Sequence, residues 1–342
     1  MDNTVMGSGS SHPAALPLLS VRDLGVTFHT RDGWMDVTRG VTFDVTAGER
    51  VGIVGESGCG KTVTGLALMG LLPTERTRVQ GQIMLDGRNI NGLPAREMRG
   101  VRGPQLAMIF QEPMSALDPV FTIGAQISEA IRAHFPVTAR EAKATAIDAL
   151  ARVGIPLPSR RYDEYPHQLS GGMRQRAMIA IALVCKPRLL IADEPTTALD
   201  VTVQAQIIDI LIQLSEQSGT ALLFITHDLG VVAETCQRVI TMYGGETVED
   251  APVDSVLLRP RHPYTSALMR SLPGLHPRKT RLPSISGRVP QPTEKLPGCR
   301  LEPRCLHAQS ACLAGQSWIE LQPGHSVRCH RHADLKLPGT VS

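Results

Sequence analysis

The chain has 342 residues, a hydrophobic content of 42%, a mean hydropathy of −0.03 and a formal net charge of +3. That length supports a full core with smaller lobes, and the nearly balanced charge argues against a protein devoted to coating nucleic acid. The longest uncharged apolar run, residues 177–185, is too short to cross a bilayer, and residues 1–19 lack the basic start and apolar core of a secretory signal, so a cytosolic protein is expected.

Residues 1–17 read as a disordered tail. Residues 18–28 and 41–45 alternate as strands around an Arg31-Asp32-Gly33 turn, and Phe28 is either core or a platform for a nucleobase. Residues 51–54 then form a short apolar strand that runs into Gly55-Glu56-Ser57-Gly58-Cys59-Gly60-Lys61-Thr62 and a helical stretch over 63–72. This is G-x-x-x-x-G-K-[ST] in its strand–loop–helix setting. Gly55, Gly58 and Gly60 let successive N–H groups turn inward to cradle a polyphosphate at a helix N-terminus. Lys61 is placed to neutralise the β- and γ-phosphates, and the Thr62 hydroxyl to hold Mg²⁺. Cys59, beside Lys61 at the same helix start, is expected to be a reactive thiol of depressed pKa, with an inert small filler as the alternative.

Further on, residues 82–85 with Asp86-Gly87 read as a hairpin edge, and 106–110 as a strand that ends at Gln111-Glu112-Pro113. From there to about residue 185 the pattern is helical. Thr138-Ala139-Arg140-Glu141 is a capping box for a helix with Ile147, Leu150 and Val153 on its apolar stripe and Gly154 at its end. Leu169-Ser170-Gly171-Gly172 opens another helix and offers a second anion-binding feature. Residues 189–192 form an apolar strand ending in Asp193-Glu194; Asp193 is placed for the Mg²⁺ shell and Glu194 to orient and deprotonate a water. A last strand, 221–226, ends in His227-Asp228, where His227 can reach a γ-phosphate.

With these residues in order, residues 18–258 resemble an ATP-binding cassette (ABC) ATPase. The phosphate loop, the glutamine loop at Gln111, the signature over 169–175, the acidic strand, the Ala198-Leu199-Asp200 turn and His227 follow the family's order. Closer still is the dipeptide/oligopeptide/nickel importer subfamily, through Gly55-Glu56-Ser57-Gly58, Phe110-Gln111-Glu112-Pro113-Met114, Tyr165-Pro166-His167-Gln168-Leu169-Ser170, residues 193–204 and Arg261-His262-Pro263-Tyr264-Thr265. The subfamily commonly has Ser at the place of Cys59 and Asp at that of Glu112; neither departure removes a needed group.

The resemblance implies an α/β fold: a P-loop NTPase (ABC ATPase) core over 18–98 and 186–258 with an antiparallel β subdomain, an inserted helical subdomain over 99–185, and a small irregular Cys-rich extension over 259–342. It implies ATP and Mg²⁺ as cofactors, with Lys61, Gln111, Glu194 and His227 as catalytic groups. Gln111 would join Thr62 and Asp193 around the metal. The nucleotide would lie between Phe28 and residues 55–62 of one cassette and Ser170, Gly171 and Gly172 of a second, with Asp200 at the interface. The second cassette is a copy or a paralogue. Two membrane permeases, and through them an extracytoplasmic solute-binding protein, are the other implied partners. The expected place is the cytoplasmic face of the inner membrane. A soluble cassette acting on nucleic acid or ribosomes is the alternative, but such chains usually carry tandem cassettes or a long coiled coil; here one set of motifs occurs, without a heptad run.

From Arg259 onward 13 Lys/Arg face 4 Asp/Glu, against 22 and 28 before it, and the shift marks a boundary. So basic a segment either meets anionic lipid or forms a solvated, partly paired surface. It also holds Cys299, Cys305, Cys312 and Cys329, spaced C-x₅-C-x₆-C-x₁₆-C, in a stretch short of periodic apolar residues. A reducing compartment disfavours disulfides, and the spacing lacks the close pair usual at zinc. Four thiolates on a loop-rich scaffold suit a [4Fe–4S] cluster, with zinc as the alternative and His330 or His332 as a substitute ligand. The importer subfamily often carries such a tail.

Overall fold

The computed structural model describes residues 16–112, 116–196, 200–271, 285–294 and 296–340, the side chain of Val201 excepted. Most of residues 1–17, Pro113-Met114 and Ala198-Leu199 therefore lie outside the described residues.

Two sheets organise the chain. The first is antiparallel, with strand order β2 (Gly33–Val45), β1 (Leu19–Thr30), β4 (Thr77–Leu85), β5 (Arg88–Asn89). Its hairpins turn where the sequence placed them: at Gly33 (φ 109°), and at Asp86-Gly87, both with positive φ (49° and 75°) as the tightest turns require. The second sheet has eight strands. Five are parallel, in the order β9 (Arg238–Tyr243), β3 (Arg50–Val54), β8 (Ala221–Thr226), β7 (Leu189–Asp193), β6 (Leu106–Ile109). β10 (Glu246–Pro252), β12 (His325–Val327) and β11 (Ile319–Gln322) continue it antiparallel beyond β9.

The parallel strands are apolar throughout because both faces are covered. Along β8, Leu223 and Ile225 face a cluster shared with the first sheet and helix α1 (Lys61–Leu68), while Leu222 and Phe224 face the helical lobe. That lobe is built mainly of α3 (Ile123–His134), α4 (Ala139–Arg152) and α6 (Gly171–Leu183), numbered after a short α2 (Ala95–Val101), with α5 (Pro158–Arg161) between the last two. The capping box forms: Thr138 Oγ1 accepts from the Glu141 N–H and the Glu141 carboxylate accepts from the Thr138 N–H, a device that contributes about 1 kcal/mol. Residues 106–109, expected within the inserted lobe, instead pair with β7 as the edge of the main sheet, which Leu106 and Ile109, both wholly buried, explain.

The C-terminal extension also departs from expectation. It is not purely irregular, for β12 pairs with β10 at Glu249↔Val327 and Asp250↔Ser326, so the tail lengthens the core sheet. Leu301 joins Tyr243, Val248 and Tyr264 in a buried cluster beneath it. Three of its 13 Lys/Arg are turned inward: Arg300 donates to Gly244 O, Arg304 to Glu56, and Arg328 to Thr247 O and Gly40 O.

One ion-pair cluster fastens the core. Arg238 at the start of β9 donates to both Asp250 oxygens (2.6 and 2.7 Å), to Glu49 (2.8 Å) and to Asp44 O. Asp250 is almost wholly buried, and burial pushes its carboxyl up to about 6 in spite of Arg238. Arg238→Met is expected to cost about 3–5 kcal/mol, since it strands a buried carboxylate. Urea unfolding at neutral pH measures it, and the loss should shrink as pH falls towards 5, where Asp250 takes up a proton.

Candidate functional site

Parallel strands lying side by side deliver their carboxyl ends to one edge, and the loops leaving those ends build the site. Val54 pairs with Thr226, Asp193 with Ile225 and Ile109 with Ala192. The phosphate loop, Asp193-Glu194, His227 and Gln111 therefore emerge together.

The loop after β3 keeps its shape through glycine. Gly58 and Gly60 have φ of 79° and 95°, and a Cβ on Gly60 would come within 2.5 Å of the Thr38 methyl. A Cβ on Gly55 would meet Met242 O at 2.2 Å. Lys61 is buried, with Nζ donating to Gly55 O (2.8 Å) and Glu56 O (3.2 Å). Thr62 Oγ1 donates to Asp193 Oδ1 at 3.1 Å, so hydroxyl and carboxylate form a seat of hard oxygens suited to Mg²⁺. Burial pushes the Asp193 carboxyl up to about 6, with Thr62 and Lys61 opposing and Glu194 adding to the rise.

Glu194 follows β7 with φ 44°, a left-handed conformation that a non-glycine residue adopts at a cost of about 1 kcal/mol or more. Its N–H donates to Ile225 O (2.7 Å). The carboxylate thereby reaches two groups from neighbouring strands: Gln111 Nε2 on Oε2 at 3.0 Å and His227 Nδ1 on Oε1 at 3.1 Å. Gln111 and His227 are exposed. A carboxylate aligned between an amide and an imidazole can hold and deprotonate a water.

One expectation changes here. Cys59 is wholly buried in the core cluster, and burial raises its thiol pKa despite Lys61 nearby. It is an inward-facing filler, since burial outweighs the Lys61 N–H and ammonium (Nζ to Sγ 3.9 Å) that reach its sulfur. Phe28 is half-buried and packs on the core cluster from β1.

Ser170, Gly171, Gly172 and Asp200 stand elsewhere. Ser170 caps α6 (Oγ accepting from the Met173 N–H, 3.4 Å) and Asp200 caps α7 (Val201–Ser218). Gln175, buried behind the cap, donates to Pro195 O at 2.6 Å. Among the described residues no hydrogen bond or ion pair joins these four residues to the phosphate loop.

Sequence reading missed the neighbours of Glu56, a residue it assigned to the loop. The Glu56 N–H donates to Tyr264 Oη (2.8 Å) and its carboxylate accepts from Arg304. Arg304 lies 248 positions away, and only the Tyr264 motif hinted at a role.

The four tail cysteines are thiols, and all four line one small cavity, with His262 and His307 beside them; His330 and His332 do not line it. Backbone N–H groups of Leu301, His307 and Arg331 point to the sulfurs of Cys299, Cys305 and Cys329, each two residues earlier, while burial pushes the Cys299 thiol up to about 12 and that of Cys329 to about 11. Among the described residues no three His, Cys, Asp or Glu side chains come close enough to hold a metal ion. The expected cluster is thus not formed as a closed ligand set, although all four cysteines border the cavity. The donor chemistry, four sulfurs with N–H groups aimed at three of them, suits iron–sulfur or zinc.

Comparison with known proteins decides the family. Residues 38–197 match the ABC transporter family, and residues 248–312 match the oligopeptide/dipeptide transporter C-terminal region. The chain is 52% identical to a probable peptide ABC transporter ATP-binding protein of Sinorhizobium fredii, over 95% of this chain and 98% of that one. It belongs to the ABC ATPases. The dipeptide transport ATP-binding protein DppD of Escherichia coli is 45% identical over 93% of this chain and 98% of its own. Among solved structures, the dimeric post-hydrolysis state of the ATP-binding cassette MJ0796, bound to ADP and Pi, superposes with a TM-score of 0.62 at 26% identity, covering 69% of this chain and 98% of that one. The cassette fold and the ATPase class follow. No helix among the described residues is long and apolar enough to cross a membrane.

Proposed function

We propose that this ABC ATPase is the energy-coupling subunit of a membrane importer for dipeptides or oligopeptides, held on the cytoplasmic face of the inner membrane by two permease subunits that an extracytoplasmic solute-binding protein supplies. One observation carries the reading: the phosphate loop, Thr62 with Asp193, and Glu194 with Gln111 and His227 share one sheet edge in a chain whose relatives at 52% and 45% identity are named for peptide transport. The core over 18–98 and 186–258 binds nucleotide, the lobe over 99–185 meets the permeases, and 259–342 is the extension. Val120 and Phe121, 70% and 54% exposed just ahead of α3, give that meeting an apolar contact.

Lys61 and residues 55–60 hold the phosphates, and Thr62 and Asp193 the Mg²⁺ that enters with ATP, with Gln111 close to the same ion. Glu194 takes the proton of the attacking water as its oxygen bonds the γ-phosphorus and the bond to the β-bridging oxygen breaks, releasing ADP. His227 holds Glu194 and faces the γ-phosphate. Ser170, Gly171, Gly172 and Asp200 complete the site of a second cassette, a copy or a paralogue, in a head-to-tail dimer. Phe28 flanks the base. Co-expression with the permeases tests the assignment: peptide uptake that requires this chain supports it, and assembly with ribosomes or nucleic acid in place of permeases would overturn it.

The proposal extends to Cys299, Cys305, Cys312 and Cys329 as ligands of a [4Fe–4S] cluster, which would cross-link a segment too poor in apolar residues to pack alone. After anaerobic purification, iron in proportion to protein with broad absorption near 400 nm (roughly the range of thiolate-to-iron bands) is expected. Equimolar zinc without that band replaces the cluster by a zinc site, and absence of both metals leaves four structural thiols.

A further inference from the structure

Glu56 is the only acidic residue in the phosphate loop, a segment whose task is to attract a polyanion. Every polar group of Glu56 is engaged. Its N–H donates to Tyr264 Oη (2.8 Å), its carbonyl accepts from Lys61 Nζ (3.2 Å), and its carboxylate accepts from Arg304 through both terminal nitrogens (2.9 and 3.3 Å). The Arg304 side chain is 6% exposed, and its fork is set beforehand by Tyr243 Oη (3.1 Å), Ser286 O (2.9 Å) and Ile285 O (3.0 Å). A two-pronged pair with a buried, prearranged arginine differs from the weak ion pairs of open surfaces.

The second arm is equally fixed. Tyr264 is buried with its ring 4.6 Å from that of Tyr243, and its N–H donates to His262 Nδ1. The N–H groups of His262 and Arg261 donate to the two oxygens of Glu249, a buried carboxylate that also meets His325 of β12. Both arms start in the extension and end on Glu56.

We propose that Arg304 is the counter-charge of the phosphate loop, a positioning residue by which the C-terminal extension sets nucleotide affinity, with Tyr264 fixing the loop backbone beside it. The inference rests on the ATPase reading of the loop and not on a metal at the cysteines. Without Arg304, the Glu56 carboxylate stands uncompensated next to the phosphates and is free to turn towards them.

The test uses the full chain, Mg-ATP titration by displacement of a fluorescent nucleotide, and steady-state ATPase kinetics. Arg304→Met should raise Kd and KM about tenfold, in KM far more than in kcat, and the effect should shrink at high salt, since a single uncompensated charge is screened. Arg304→Lys should restore most of the affinity. Glu56→Gln should lower Kd a few-fold below that of the unaltered chain, since it removes the loop's one carboxylate and leaves Arg304, and the double substitution Glu56→Gln, Arg304→Met should return Kd to about that of the unaltered chain. Weaker binding by Glu56→Gln, or losses that add in the double substitution, would show a mere structural clamp and overturn the proposal. The Glu56→Gln measurement decides the matter even where Arg304→Met fails to fold. Failure of every variant and of the unaltered chain to bind ATP would refute the ATPase reading itself.

Discussion

Glu194→Gln is expected to lower ATP turnover by about 10²–10⁴-fold, the usual weight of a positioned proton acceptor, while Mg-ATP binding stays close to that of the unaltered chain. The separation follows from geometry. Thr62 and Asp193 form the oxygen seat and Lys61 the cationic end of the loop, whereas the Glu194 carboxylate meets Gln111 and His227. Glutamine has the size of glutamate and keeps the backbone bond to Ile225 O, so the left-handed turn after β7 is retained. Only the ability to take a proton disappears. With ATP bound and not consumed, the cassettes should accumulate as a closed pair, visible as a nucleotide-dependent dimer in size-exclusion chromatography. Turnover within a few-fold of normal would instead assign the proton to another acceptor.

What sequence could reveal here was set by distance along the chain. The phosphate loop, the acidic strand end and the capping box at Thr138 each lie within a dozen residues, so spacing alone carries their geometry. The edge that unites Lys61, Gln111, Asp193, Glu194 and His227 was legible for a related reason, since buried parallel strands must bring their carboxyl ends together. Pairings without a local pattern were not legible. Residues 319–327 contain no long apolar run, yet they form the outer strands of the main sheet, because β10 offers an edge with open hydrogen-bonding groups. Cys59 was misread because its neighbours in sequence describe the helix start, whereas its side chain joins a core assembled from distant strands. Glu56 and Arg304 show the same limit from the other side: two ordinary surface residues by composition, made partners by tertiary packing.

Lys61→Ala should produce the opposite phenotype to Glu194→Gln, with loss of binding instead of loss of chemistry. The Lys61 ammonium is buried and held by two loop carbonyls, Gly55 O and Glu56 O, which fix it at the mouth of the loop. Truncation removes the cation nearest the phosphates, and it also leaves those two carbonyls facing the place of a polyanion without a donor between them. Both effects disfavour nucleotide. Removing one member of a buried charge pair typically costs about 3–5 kcal/mol, which corresponds to about 10²–10⁴-fold in Kd for Mg-ATP. The fold should survive, because Thr64 Oγ1 on Gly60 O and the glycine dihedrals hold the loop independently of the lysine. Equilibrium titration with a fluorescent nucleotide, together with an unchanged far-ultraviolet circular dichroism spectrum, measures the outcome. Retained affinity within about threefold, less than the roughly 1 kcal/mol expected of even an exposed ion pair, would mean that the backbone N–H groups alone hold the phosphates.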